Sequence, residues 1–390
     1  MQSLLAAAEA HRDWIERLIE DLVRLESPST DKTALDRCGG ELAGRLENLG
    51  ARVTRYPQQS AGDHVRAEFG DGGSQVLVLG HFDTVWPVGE LARMPCERRD
   101  GRMTGPGVFD MKAGIAIAML AARLLTERSA RLPCRIVMLW TTDEEIGSGT
   151  SRAILEDEAR RSRAVFVLEP SLPGGALKTA RKGVGEFRIV AEGVAAHAGI
   201  DPRNGASAVH ELARQTLRLL QLHEPDRGVS VNVGRFAGGD RTNVVADRAI
   251  MDVDVRVPTL EDGARIASAF ASLSPGDSRV RLTVTGGIDR PPLERSPGVA
   301  ALFAQARDVA RTLGRTLDEG ATGGGSDGNF TAALGVPTLD GLGAVGGGAH
   351  ARDEHVLLEP LPFRAALLAA LISRVSDTVP ATVSDTATVK

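Results

Sequence analysis

The sequence predicts an α/β fold: a mostly parallel sheet flanked by helices, with an inserted ferredoxin-like α+β domain. Three observations carry this expectation. From Arg52 to Glu169, apolar strand-like runs alternate with helical patterns, the order of a parallel sheet covered on both faces. Between about Lys182 and Arg290 the order becomes β-α-β-β-α-β, the ferredoxin-like unit. The chain has 390 residues, more than one ordinary core supports, so two domains are expected.

Taken in order, Met1 to Glu26 mixes apolar residues with His11, Arg12, Asp13, Glu16 and Arg17, which predicts an amphipathic helix and excludes a signal peptide. A second helix is expected over Leu35 to Leu49, stopped by Gly50, followed by strands at Arg52–Tyr56, Val65–Phe69 and the run before His81. Met111 to Leu125 reads as a long helix with Asp110 near its cap. A strand before Thr141, a helix from about Ser151 and a strand before Glu169 continue the alternation. The insertion takes strands at Glu186–Ala191, Val229–Phe236, Ala249–Val257 and Val280–Val284, with helices at Ala206–Leu222 and Leu260–Leu273. Helices over Ser296–Leu313 and Leu361–Val375 resume the first domain. The expected boundaries are 1–181 with 291–378, an insert at 182–290, and a frayed Thr/Ser/Ala-rich tail at 379–390.

The net charge of −5 and pI near 6.0, with basic residues scattered, give no reason to expect nucleic acid or an anionic membrane as partner. Cys38, Cys96 and Cys134 follow no paired spacing, which points to thiols in a reducing compartment and a cytoplasmic protein. No apolar span is long enough for a membrane.

Chemistry concentrates at strand ends. Ile136–Trp140 reads as a buried strand and leads into Thr141-Thr142-Asp143-Glu144-Glu145, where three adjacent carboxylates repel one another unless a cation is near. On an extended chain Glu144 and Glu145 would point to opposite sides, so one can ligate while its neighbour handles a proton. A solvated acidic turn before a helix is the bland alternative. Other strand-like runs lead into His81 and Asp83, which share a face at period two, and into Asp110, Glu169 and His350. Two histidines and three carboxylates form the ligand mix of a zinc pair. In an open α/β sheet, ligands bind at such carboxyl ends.

The motifs Gly80-His81-Phe82-Asp83-Thr84-Val85, Gly107-Val108-Phe109-Asp110-Met111-Lys112, Thr142-Asp143-Glu144-Glu145-Ile146-Gly147, Leu168-Glu169-Pro170, Ala196-His197-Ala198-Gly199 and Gly348-Ala349-His350 occur in register over nearly the whole chain. Together they resemble the di-zinc metallopeptidase family of aminoacylases and glutamate carboxypeptidases, most of all the bacterial folate-cleaving glutamate carboxypeptidases. The resemblance implies two Zn²⁺ per chain, with Co²⁺ or Mn²⁺ as alternatives. Asp110 would bridge the ions, His81 and Glu169 would complete one, and Glu145 and His350 the other, with His355 as runner-up to His350. It implies that Glu144 is the general base and that Asp83 holds His81 in its ligating tautomer. It also implies a cis peptide at Asp110-Met111. The insert would serve homodimerisation, and His197 would donate to the developing oxyanion across the dimer.

Thr322–Gly328 lacks the Lys-Ser/Thr ending of a nucleotide loop, so its backbone N–H groups around Gly325, with Ser326, are expected to hold a substrate carboxylate or carbonyl. Arg290, Asn243 and Arg256 are further candidates for that carboxylate, a structural ion pair being the alternative for each arginine. The expected function is hydrolysis of an amide bond to release an amino acid with a free α-carboxylate from an N-acyl amino acid or short peptide. The alternatives are an N-acyl-amino-acid or acetylornithine-type deacylase and a non-catalytic metal-binding homologue.

Overall fold

The computed structural model describes residues 1–129, 132 and 134–378, so the expected frayed tail at 379–390 lies outside the described residues. The chain divides into two compact units. The first comprises Met1–Thr179, Arg295–Ala321 and the described residues from Ser326 onward; the second comprises Ala180–Glu294 with Thr322–Gly325.

The first unit is built on a six-stranded sheet in the order Arg52–Tyr56, His64–Phe69, Arg135–Thr141, Gln75–His81, Val165–Val167, Thr338–Leu339. The last four strands are mutually parallel. The first two join the edge antiparallel. A short link makes Arg52–Tyr56 pair antiparallel with His64–Phe69, whereas parallel strands are joined through helices such as Ala113–Arg128 and Arg152–Arg160. Gln75–His81 is buried at every position and Arg135–Thr141 at all but its first, so these strands read in the sequence as continuous apolar runs. Helix Ala113–Arg128 is buried on nearly all sides and packs against helix Leu361–Thr378. From that second helix Arg364, itself buried, donates to the carbonyls of Gly175 and Gly343 at 2.9 and 2.8 Å and to that of Gly341.

Two expected elements differ. The N-terminal helix is broken at His11 into Gln2–Ala10 and Arg12–Arg24, the His11 ring lying 3.0 Å from Glu127. The helix expected from Met111 begins at Ala113, because Asp110 and Met111 have non-helical dihedrals; the peptide bond between them is cis.

The second unit is a four-stranded antiparallel sheet ordered Ser230–Gly238, Arg248–Val257, Gly183–Glu192, Arg281–Arg290, the ferredoxin-like arrangement. After the exposed Arg248, the strand Arg248–Val257 alternates buried and half-buried positions. Helices Ala208–Leu219 and Leu260–Ala271 contribute Leu212, Ile266 and Phe270 to its separate core, where Phe270 stacks on Phe187 with ring centroids 3.9 Å apart. Among the described residues, no helix is long and apolar enough to cross a membrane.

Candidate metal centre

His81 ends a fully buried strand of the first unit, and its ring is buried with it. Its Nδ1 lies 3.0 Å from the Asp83 carbonyl oxygen and 3.3 Å from the Asp83 carboxylate. A carbonyl oxygen can only accept, so Nδ1 carries the proton and the Nε2 lone pair points elsewhere. Nε2 faces Asp110 Oδ1 at 3.3 Å and Glu169 Oε1 at 3.4 Å. The other Asp110 oxygen, Oδ2, lies 3.4 Å from His350 Nε2, which is 3.1 Å from Glu145 Oε2. Asp110 therefore belongs to two groups: His81, Asp110 and Glu169, and Asp110, Glu145 and His350.

This donor set fits a pair of metal ions. A lone pair on His81 Nε2 converging with two carboxylate oxygens is repulsive unless a cation lies among them. Two ligand atoms each 2.0–2.1 Å from one tetrahedral zinc are about 3.4 Å apart, close to the spacings within each group. Asp110 Oδ1 is buried yet has no hydrogen-bond partner. The titration tendencies agree. Burial disfavours ionisation of Asp110, but His350 and His81 beside it outweigh that and hold its carboxyl far below the usual range. Burial likewise opposes protonation of His81, and Asp110, Asp83 and Glu169 override it. Asp110 and Glu145 push the half-exposed His350 up to about 10, while burial pushes Glu145 up. Positive charge is wanted here, from protons or from ions.

The acidic turn corrects the expectation of extended backbone. Glu144–Ile146 is a single 3-10 turn, in which successive side chains diverge by about 120°, so Glu145 reaches the ligand group while Glu144 belongs to neither group. Asp83 sets this turn. Its fully buried carboxylate accepts from the backbone N–H of Glu144 at 3.3 Å and of Glu145 at 3.2 Å, and from Ser29 Oγ at 2.7 Å. Asp143 faces inward, accepting from the Thr150 N–H, the Thr150 hydroxyl and the Ser151 N–H at the start of helix Arg152–Arg160. Burial raises its pKa, but donors from Ser151 and Thr150 bring it below the ordinary value. The third acid of the turn is thus a helix anchor.

Glu354 is a buried acceptor of four hydrogen bonds. They come from the N–H groups of Gly107 (3.0 Å), Phe109 (2.9 Å) and Asp110 (3.1 Å) and from Trp86 Nε1 (2.8 Å). Burial pushes its carboxyl up against the pull of these donors. Gly107 has φ +71°, and a side-chain carbon there would lie 2.5 Å from Thr84 Cγ2, so only glycine fits. His350 itself sits at φ +59°, a left-handed conformation sparsely used by residues with a side chain.

The remaining expected site residues divide. His197 and Asn243 are exposed on the second unit, where the Asn243 carbonyl accepts from the Ala198 N–H at 2.9 Å. His197 Nδ1 accepts from the N–H groups of Gly199 and Ile200 at 3.1 and 3.2 Å. Arg290 is buried at the end of its strand, its Cδ 3.2 Å from where a side-chain carbon on Gly325 would stand. The Gly325 carbonyl accepts from Arg181 Nη1 at 2.9 Å. Arg256 is corrected: its guanidinium grips Asp254 through two bonds of 3.1 and 2.8 Å, the structural ion pair. Ser326 is corrected too, since it is buried in the first unit, with its hydroxyl donating to Asp340 at 2.7 Å and accepting from Gly328 N–H at 3.1 Å. His355 lies outside both ligand groups, its Nδ1 2.8 Å from the Asp353 carbonyl.

Two ligand groups sharing one carboxylate, with a further carboxylate on the adjoining turn, define the site of a metal-dependent hydrolase. The chain belongs to peptidase family M20/M25/M40, whose model matches residues 77–374. It is 30% identical over 379 residues to carboxypeptidase G2 of Pseudomonas sp. strain RS-16, covering 95% of this chain and 91% of that relative. It is 29% identical over 311 residues to a succinyl-diaminopimelate desuccinylase of Methylibium petroleiphilum, covering 74% of this chain and 79% of that relative. Its fold is similar to that of aminopeptidase PepT from Bacillus cereus, with a TM-score of 0.77, 24% identity and coverage of 93% of this chain and 98% of that one.

The raised pKa of His350 sets a pH dependence. Without metal, this group contributes stability fully below its unfolded value of about 6.5, and that contribution is lost as pH rises through about 10. Protein stripped with a chelator should therefore lose melting temperature between those limits. Zinc should flatten the profile, since metal binding displaces the proton. Melting curves with and without zinc at matched ionic strength check this; parallel profiles would contradict it.

Proposed function

We propose that this protein is a di-zinc hydrolase that cleaves an amide bond to release an amino acid with a free α-carboxylate from an N-acyl or peptidyl substrate. The observation that carries this reading is Asp110, whose two oxygens face two separate ligand groups while Glu144 stands on the adjoining turn outside both. His81 and Glu169 would hold one ion, Glu145 and His350 the other, and Asp110 both. When bound, the ions acidify a water and polarise the scissile carbonyl. Glu144 takes the proton of the attacking water and delivers it to the leaving amine. Asp83 backs His81 and fixes the backbone of Glu144 and Glu145.

His197 accepts backbone N–H groups at Nδ1, which leaves its proton on Nε2, the tautomer required of a donor to a developing oxyanion. We assign that role across a homodimer. Leu217, on the second unit's first helix, and Leu220, in the 3-10 turn that follows it, are 66% and 50% exposed, and Phe236 on the edge strand is 41% exposed, which supports a contact with a second copy. Arg290 and Asn243 are proposed to bind the substrate carboxylate. The buried thiols Cys38, Cys96 and Cys134 suit a cytoplasmic setting.

A carboxypeptidase among the relatives favours a substrate with a free C-terminal carboxylate. The desuccinylase makes an N-succinyl diamino acid the first competitor, so a panel of N-acyl amino acids and dipeptides scored for released amine tests the assignment. Glu144→Gln should retain two zinc ions yet lose 10²-fold or more in kcat; full activity would remove Glu144 as the base. Mixing inactive His197→Ala with inactive Glu144→Gln chains should regain activity through composite sites, and no regain after verified subunit exchange would place the site within one chain. Arg290→Ala should raise KM for acidic substrates by about 2–3 kcal/mol of lost binding with zinc content unchanged, and Arg290→Lys should recover part of it. A lowered melting temperature with normal KM would instead make Arg290 a structural ion pair.

A further inference from the structure

We infer that Glu354 is a positioning residue that ties three ligand-bearing loops into one frame and so sets the spacing of the two metal groups. The inference rests on the metal-centre reading and assigns it a part that the ligands themselves do not play. Each Glu354 oxygen is used twice. Oε1 takes the N–H groups of Phe109 and Asp110, and Oε2 takes those of Gly107 and the Trp86 indole, all between 2.8 and 3.1 Å. The first three donors belong to the loop that ends in the shared ligand Asp110. Trp86 lies on the loop that leaves His81 and Asp83. Glu354 itself is linked to His350 by two successive turns, Gly348 carbonyl to Ala351 N–H at 2.8 Å and Ala351 carbonyl to Glu354 N–H at 3.0 Å.

One buried carboxylate thus holds Asp110 and His350, which approach each other from segments far apart in sequence, at a fixed separation. An acceptor held by the main-chain N–H of Asp110 also fixes where the Asp110 carboxylate starts. No neutral side chain can do the same. Glutamine offers one oxygen and one NH₂, so a pair of N–H donors would face another donor and open. Aspartate keeps the charge but withdraws it by about 1.5 Å, the length of one carbon–carbon bond.

The test is a zinc titration of metal-stripped wild type, Glu354→Gln, Glu354→Asp and Trp86→Phe, read by competition with a chromogenic chelator while circular dichroism reports the folded fraction. Wild type should take up two ions. Glu354→Gln should bind them 10- to 100-fold more weakly at a temperature where it remains folded. Glu354→Asp should fall between the two, and Trp86→Phe, which removes one of the four donors, should show a smaller, severalfold loss. A folded Glu354→Gln protein with wild-type zinc affinity overturns the proposal, even if its melting temperature drops, because a purely structural carboxylate would affect only the latter. If Glu354→Gln does not fold, wild-type affinity in Trp86→Phe overturns it. Absence of zinc uptake by the wild type has a different meaning: it overturns the metal-centre reading and the proposal with it.

Discussion

The first unit depends on keeping Asp110 ionised where a carboxylate would not choose to be. Burial alone would protonate it, and the two imidazoles facing its opposite oxygens reverse that preference. Every neighbouring device serves the same balance. Asp83 holds one ring proton of His81 on the far side, so the near nitrogen stabilises the Asp110 carboxylate either by carrying a second proton or by sharing a cation with it. The parallel sheet delivers His81, Glu145 and Glu169 at the carboxyl ends of adjoining strands, where main-chain amides are not already spent on the ladder.

Much of this was legible in the sequence, because a strand buried on both faces announces itself as an unbroken apolar run and the first polar residue after it is conspicuous. His81 and Glu169 stand out in this way, whereas Asp110 follows a turn, His350 a glycine run, and the choice of Glu145 over Glu144 rests on the resemblance of the motifs. What escaped depends on turns. Whether Asp143, Glu144 or Glu145 turns inward is decided by the 3-10 turn and by Thr150 and Ser151 waiting for a carboxylate, and apolar periodicity carries no record of either. Glu354 escaped for the same reason, since its partners are main-chain groups that any sequence possesses. Ser326 was misread because a Gly-rich loop looks like a cradle, whereas its hydroxyl closes on Asp340. Arg256 was readable: Asp254 stands two residues away on the same strand face, within reach of a guanidinium fork.

The second unit shows the complementary rule. Its strands have one face packed on two helices and the other open, so alternation marked them clearly, and their antiparallel order follows from β-α-β-β-α-β without further information. Its core, centred on Phe187 and Phe270, shares no residue with that of the first unit.

The placement of the second unit between Glu169 and His350 has a consequence for biosynthesis. His81, Asp110 and Glu169 all leave the ribosome before the second unit begins, whereas His350 follows only after that unit and a further helix have been made. The nascent chain therefore holds every donor of one ion group while the other is still short of its histidine. A cation captured at that stage would cross-link the amino-terminal strands of a half-made chain before the donors of the second group are complete.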